Sequence, residues 1–140
     1  MLEPRARLAD NRGAGNHAPC GGVERGHIHY LSQAGSRNYI QWKTLKSHQF
    51  ANCTVRISTG GEKENDFQVL RPRDESADFD GWFPCGRSPG FDGKEFRLPS
   101  SLTCTNCVLQ FIQELSKEEK IHQCADLTVM EHLSSAEILA

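Results

Sequence analysis

No run of the sequence approaches the roughly 20 consecutive apolar residues that a membrane-spanning helix needs. The charged opening "MLEPRARLADNR" likewise lacks the apolar stretch of a secretory leader. With 16 basic and 18 acidic residues the formal net charge is −2. A field that weak does not gather polyanions, so nucleic acid is not expected as a partner. Internal repeats and low-complexity tracts are missing, and helical periodicity is scarce, hinted at only in the tail "SAEILA". Helical and repeat architectures, and a membrane-spanning helix, are thereby set aside.

What remains fits one globular domain. A chain of 140 residues, 37% hydrophobic and 24% charged, can bury a core without a partner, and a monomer is expected. Residues 1–130 read as the domain and 131–140 as a tail. The six cysteines, at positions 20, 53, 85, 104, 107 and 124, form an even set suited to three disulfides in an oxidising compartment. Their connectivity is not readable from spacing. An extracellular protein whose leader has been removed is the expectation, and Asn52-Cys53-Thr54 matches the N-glycosylation acceptor rule.

Period-2 alternation supplies the strands. "NYIQWKTL" (38–45) and "CTVRIS" (53–58) each alternate apolar with polar residues, and "DFQVL" (66–70) and "KEFRLP" (94–99) follow. The loop between the last two is long for a compact domain, and Cys85 at its centre suggests an excursion held by a disulfide. "CVLQFIQEL" (107–115) and "KIHQCADLTVM" (120–130), joined by "SKEE", make a hairpin whose Val108, Gln110 and Ile112 point away from Leu109, Phe111 and Gln113. The first forty residues carry neither period and read as a loop or extended arm. Short strands, close turn signals and six cysteines predict an all-β fold: an antiparallel immunoglobulin-like or fibronectin III-like β-sandwich with long disulfide-held loops.

Several residues carry chemistry. Cys104 and Cys107 have the spacing of a zinc pair, and His122 with Cys124 on one strand face would complete a Cys₃His set; disulfides are the competing use. His27 and His29 share one face of any strand, and His48 sits in a turn between two strands, where a rigid scaffold can project a ligand. Asp126 lies inside an apolar strand, so its burial demands a partner such as Arg7 or backbone amides. Trp42, Trp82, Phe83 and Phe91 read as core or loop-anchoring aromatics, although "FDGWFPCGRSPGF" is rich enough in rings to suggest sugar stacking.

Four fragments then line up in order. "MLEPRAR" resembles the segment that follows the leading histidine of chitin-binding type-4 domains, the lytic polysaccharide monooxygenases. "APCGG" resembles the Cys-Gly-Gly element of their animal and oomycete branches and of the similar fungal copper-acquisition proteins. "LPSSLTCTNCVLQF" looks like a strand of the animal-type enzymes, and "IHQCADLTV" looks like the closing strand of both groups. The resemblance covers residues 1 to about 130.

It implies a β-sandwich holding one copper ion between a leading histidine and a second histidine from a loop, a nitrogen set suited to both copper oxidation states. By register the second histidine is His48. The leading one would fall a few residues before Met1 and is absent here, with His17 as a fallback ligand. Glu119 falls where the enzymes keep an acidic residue near the metal. Ile121, with His122 beside it, occupies the axial position that the enzymes fill with Phe or Tyr, and "ELSKEEK" replaces their long loop. These departures favour copper binding, or carbohydrate binding without metal, over efficient oxidation of chitin or cellulose. Cys104 and Cys107 are expected to fix the last hairpin and the loop before it, with Cys124 and Cys85 as partners, because each closure is worth a few kcal/mol.

Overall fold

The computed structural model describes residues 1, 4–7, 18–25 and 30–131. Among these, eight strands run β1 (Tyr30–Gln33), β2 (Arg37–Thr44), β3 (Asn52–Ser58), β4 (Gln68–Leu70), β5 (Phe83–Pro84), β6 (Gly90–Arg97), β7 (Cys104–Glu114) and β8 (Lys120–Met130), with one 3₁₀ turn at Glu64–Asp66. The larger sheet has the order β1-β8-β7-β3-β4, with β5 also on β3, and β2 pairs with β6 in a separate ribbon. The expected all-β sandwich is what the chain forms.

Alternation decides which side chains fill it. On β7 and β8, Leu109, Phe111, Ala125 and Leu127 turn toward the ribbon, whose Ile40, Trp42 and Phe96 meet them in a common core. Trp42 lies 5.1 Å from Phe111 and 6.0 Å from Phe83, and Phe96 stands 6.0 Å from Phe83, between ring centroids. Trp42 and Phe83 are thus core aromatics, as their composition suggested.

Two strands had no legible local signal. β1 lies within the stretch read as an arm and pairs parallel with β8, Tyr30 opposite Leu127 and Gln33 opposite Met130. The sandwich is therefore not wholly antiparallel, and the ladder that makes β1 a strand comes from a partner about a hundred residues away in the chain. β5 is two residues long and exists because Phe83 and Pro84 pair with Cys53 and Asn52. The strand expected at 66–70 is shortened at its start by the 3₁₀ turn, and that at 94–99 begins earlier, at Gly90.

The disulfides are Cys20–Cys124, Cys53–Cys85 and Cys104–Cys107. Cys85 does hold the long excursion, by tying it to β3. The expected partners of Cys104 and Cys107 are corrected: the two bond each other across a register shift in the β7–β8 ladder, and Cys124 instead captures the N-terminal arm. With these cysteines oxidised, the Cys₃His zinc reading also falls.

The arm covers the outer face of the larger sheet. Its Arg7 backbone N–H donates to the Cys124 carbonyl at 2.7 Å. Arg7 Nε donates to both oxygens of Asp126 at 3.1 and 3.0 Å, Nη2 donates to Oδ1 at 2.7 Å, and Nη1 reaches the Val23 carbonyl and Glu62. Both side chains of the pair are 2% exposed. Burial would by itself lower the Arg7 pKa, but the hydrogen bonds and charges of Asp126 and Glu62 outweigh it and raise it. The partner proposed for Asp126 is the one it has.

Candidate metal centre

One end of the sandwich gathers the β2–β3 loop, the β7–β8 turn and Met1. In the loop, the His48 backbone N–H donates to the Gly86 carbonyl at 3.0 Å, and its own carbonyl accepts from Ala51 N–H at 3.2 Å. Gly86 follows Cys85, whose disulfide ties this segment to β3. At φ +63° it takes a left-handed conformation, while an added Cβ would meet Ala51, Gln113 and Thr44 only at 3.7 Å. Backbone conformation, rather than space, calls for glycine here.

His48 is thereby pinned from both sides. Its ring is half-buried, and its Nε2 is buried with no hydrogen-bond partner among the described residues. An imidazole nitrogen withheld from water and left unpaired costs free energy unless something else takes it up. The lone pair of a neutral imidazole is what a metal would take.

Beside this loop lies a cavity of about 420 Å³ lined by Met1, Thr44, Gln113, Glu119, Ile121 and Gln123 among others. Strand alternation brings them together: Gln113 on β7 and Ile121 and Gln123 on β8 share the inner face, at the end where the apolar core gives out. Thr44 and Gln113 also stand next to Gly86, which links the cavity to the His48 loop. The Met1 amino group donates to Gln123 Oε1. Burial pushes its pKa down from 8.0 to about 6, so at neutral pH most of it is the uncharged amine, with a lone pair to offer.

Of the residues singled out from sequence, Glu119 and Ile121 line this cavity with Met1, and His48 borders it through Gly86. His122 does not. It is buried on the opposite face of β8, lining a groove with Arg56, Glu64, Trp82 and Lys120. A one-residue step along a strand reverses the face, which is why neighbours in sequence part company here. Among the described residues no cluster of three or more His, Cys, Asp or Glu is placed to hold a metal. His17, His27 and His29 lie outside the described residues, as does the tail from 132. Asn52 opens β3, half-buried, its Oδ1 accepting from Arg87 Nη2 at 3.2 Å. Sequence reasoning missed Thr44, Gln113 and Gln123; only the shared face with Ile121 could have flagged Gln123.

The family described as "Copper acquisition factor BIM1-like" matches residues 1–138. The chain belongs to that family. Among solved structures, the BIM1-like domain is similar to the lytic polysaccharide monooxygenase AA15 from Thermobia domestica in the Cu(I) state, at TM-score 0.63 and 20% identity over 74% of this chain and 63% of that one. It is also similar to an AA10 lytic polysaccharide monooxygenase from Streptomyces lividans, at 0.54 and 14% over 72% and 59%. A chitin binding domain from Burkholderia pseudomallei matches at 0.51 and 20% over 74% and 57%. The chain spans less than two thirds of the length of each. At these identities the likeness shows a common fold, the sandwich of the lytic polysaccharide monooxygenases. No curated protein matches the chain.

Proposed function

We propose that the BIM1-like domain binds one copper ion at the His48 end of the sandwich, and that its work is to hold copper rather than to oxidise polysaccharide. The observation that carries this reading is His48 Nε2, buried and unpartnered among the described residues, in a family of copper acquisition factors. Imidazole nitrogen suits copper in either oxidation state. When bound, copper would supply a centre able to change oxidation state.

The protein's own residues would do the rest. His48 ligates, held by its two backbone hydrogen bonds; Gln123 orients the amino group of the Met1 segment; Glu119 supplies a carboxylate at the cavity edge. A leading histidine ahead of Met1, which the family resemblance implies, would enter this same cavity. Ile121 offers no donor atom, and the turn linking Glu114 to Lys120 is short, leaving little surface around the centre for a crystalline polymer. The fold shared with polysaccharide monooxygenases supports the alternative, oxidation of chitin or cellulose, and these two features weigh against it.

The test is a copper titration by calorimetry and electron paramagnetic resonance on protein whose N-terminus has been read by mass spectrometry. One tight ion with a nitrogen-rich signal, lost in His48→Ala, is the expected outcome; unchanged binding in that variant would sink the assignment. The three disulfides support an extracellular setting, in which we expect a glycan at Asn52, detectable as a mass lost on glycosidase treatment and in Asn52→Gln.

A further inference from the structure

The Cys104–Cys107 disulfide differs from the other two in where it lies and in what it closes. Cys20, Cys53, Cys85, Cys107 and Cys124 are all buried, the most open of them at 4% exposure, whereas Cys104 is half-buried between the exposed Thr103 and Thr105. Its bond joins residues 3 apart in sequence, against 32 and 104 for the others. So short a closure removes the least entropy from the unfolded chain, and opening it asks least of the fold.

The two sulfurs are kept together by more than their bond. Residues three apart on an extended strand are separated by about 10 Å, but the Cα atoms of Cys104 and Cys107 are 5.6 Å apart. The backbone draws in at the register shift, where the step from Cys104 to Cys107 on β7 matches the shorter step from Val129 to Leu127 on β8. Contacts other than the disulfide hold this bulge. Thr128 Oγ1 donates to the Thr105 carbonyl at 2.8 Å, and Arg25 Nη1 donates to the Asn106 carbonyl at 3.1 Å. Arg25 is itself fixed by Glu62, Nε to Oε2 at 3.2 Å. Cys107 Sγ lies 3.2 Å from the Cys104 carbonyl oxygen, where a released thiol can donate. A dithiol formed here is therefore already arranged as a pair.

We propose that Cys104–Cys107 is a reducible couple whose dithiol form binds one Cu(I) ion between its two sulfurs. The thiolate of a small thiol attacks Sγ of Cys104, the more open cysteine; a mixed disulfide forms there, the Cys104–Cys107 bond breaks, and Cys107 leaves as thiolate. A second small thiol resolves the mixed disulfide. Two small thiols thus become one small disulfide, and the protein gains two electrons and two protons. Cu(I) then displaces both protons and bridges the sulfurs. Thiolate is the soft donor that selects Cu(I), a closed-shell ion that accepts two ligands in line. Zinc asks for four, and among the described residues no group of three or more His, Cys, Asp or Glu is placed to supply them. Cys104 opens β7, whereas Gln113 near its close lines the Met1 cavity, so this site is separate from the His48 centre. Only the expectation that the domain meets copper rests on the copper reading; the thiol chemistry does not.

The test is anaerobic reduction of the native protein by graded glutathione, read by alkylation and peptide mapping, followed by Cu(I) titration against a chromogenic chelator. Cys104 and Cys107 should be alkylated together while the other four cysteines stay oxidised. Protein reduced to that point, and not alkylated, should hold one Cu(I) more than the oxidised protein. Cys104→Ser combined with Cys107→Ser should lose that extra ion, and His48→Ala should keep it. If the double variant does not fold, wild type alkylated at these two cysteines takes its place and should likewise lose the ion. Earlier or simultaneous opening of Cys20–Cys124 or Cys53–Cys85 overturns the reducible couple. Uptake of no extra Cu(I), or its uptake by the blocked protein, overturns the metal site, and equal retention of Zn(II) overturns the choice of metal. A His48→Ala variant that binds Cu(II) as wild type does would instead overturn the copper reading alone and leave this site standing.

Discussion

Two of the places where the domain buries polar groups treat them in opposite ways. On the outer face of β8, Asp126 meets three Arg7 hydrogen bonds, and Arg7 spends its remaining donors on Glu62 and the Val23 carbonyl. At the open end, His48 is held equally firmly by its backbone, yet its Nε2 has no partner among the described residues. A saturated network serves stability, because each lone pair recovers what desolvation took. An unsaturated nitrogen on a fixed loop gives up some stability and keeps a coordination position ready.

The comparison can be broken most severely at the arm. Replacing Cys20 and Cys124 by serine opens a closure spanning 104 residues and is expected to cost about 4–5 kcal/mol in denaturant unfolding, against about 2 kcal/mol for the three-residue Cys104–Cys107 closure. Equal losses would show that the arm contributes nothing through chain entropy. Next comes Asp126→Ala, which strands a buried guanidinium and should cost about 3–5 kcal/mol, whereas Arg7→Met combined with Asp126→Leu should recover most of that loss. Copper affinity of the folded Asp126→Ala protein should be unchanged, since the pair faces away from the candidate centre.

His48→Ala sharpens the contrast from the other side. No side-chain hydrogen bond to a described residue is lost there, so stability should move by less than about 1 kcal/mol while copper binding disappears. A large loss of stability would mean that the imidazole is structural. Smallest is a pH effect at Met1. Its folded-state pKa of about 6 lies below the ordinary 8.0, so the unfolded chain binds more protons between these values, and folding becomes more favourable as pH rises from about 6 to about 8. Unfolding midpoints of metal-free protein across that range should rise and then level off, and acetylation of the amino terminus should remove the dependence.

Much of this was visible in the residues themselves. The alternation in "CVLQFIQEL" and "KIHQCADLTVM" placed Leu109 and Phe111 on one face and Gln110 and Ile112 on the other, and the carboxylate inside an apolar strand called for a partner. Strands β2, β3, β7 and β8, the disulfide-held excursion around Cys85 and the likeness to the copper-binding superfamily all followed. β1 did not, because a four-residue strand with no period of its own is made by the edge it pairs with. The disulfide partners also escaped: Cys124 and Cys107 point to opposite faces of their hairpin, and only the path of the arm brings Cys20 to the first.

The sequence alone determined the fold class, the faces of the long strands and the need of Asp126 for a partner, because period-2 patterning and the cost of a buried charge act locally and leave few alternatives. Tertiary structure alone decided that His48 nears the Met1 cavity while His122 turns away from it, and that Gln123 lies opposite the amino terminus. Each of those contacts joins segments far apart in the chain, where no local preference specifies the neighbour and the packing of the whole sandwich selects it.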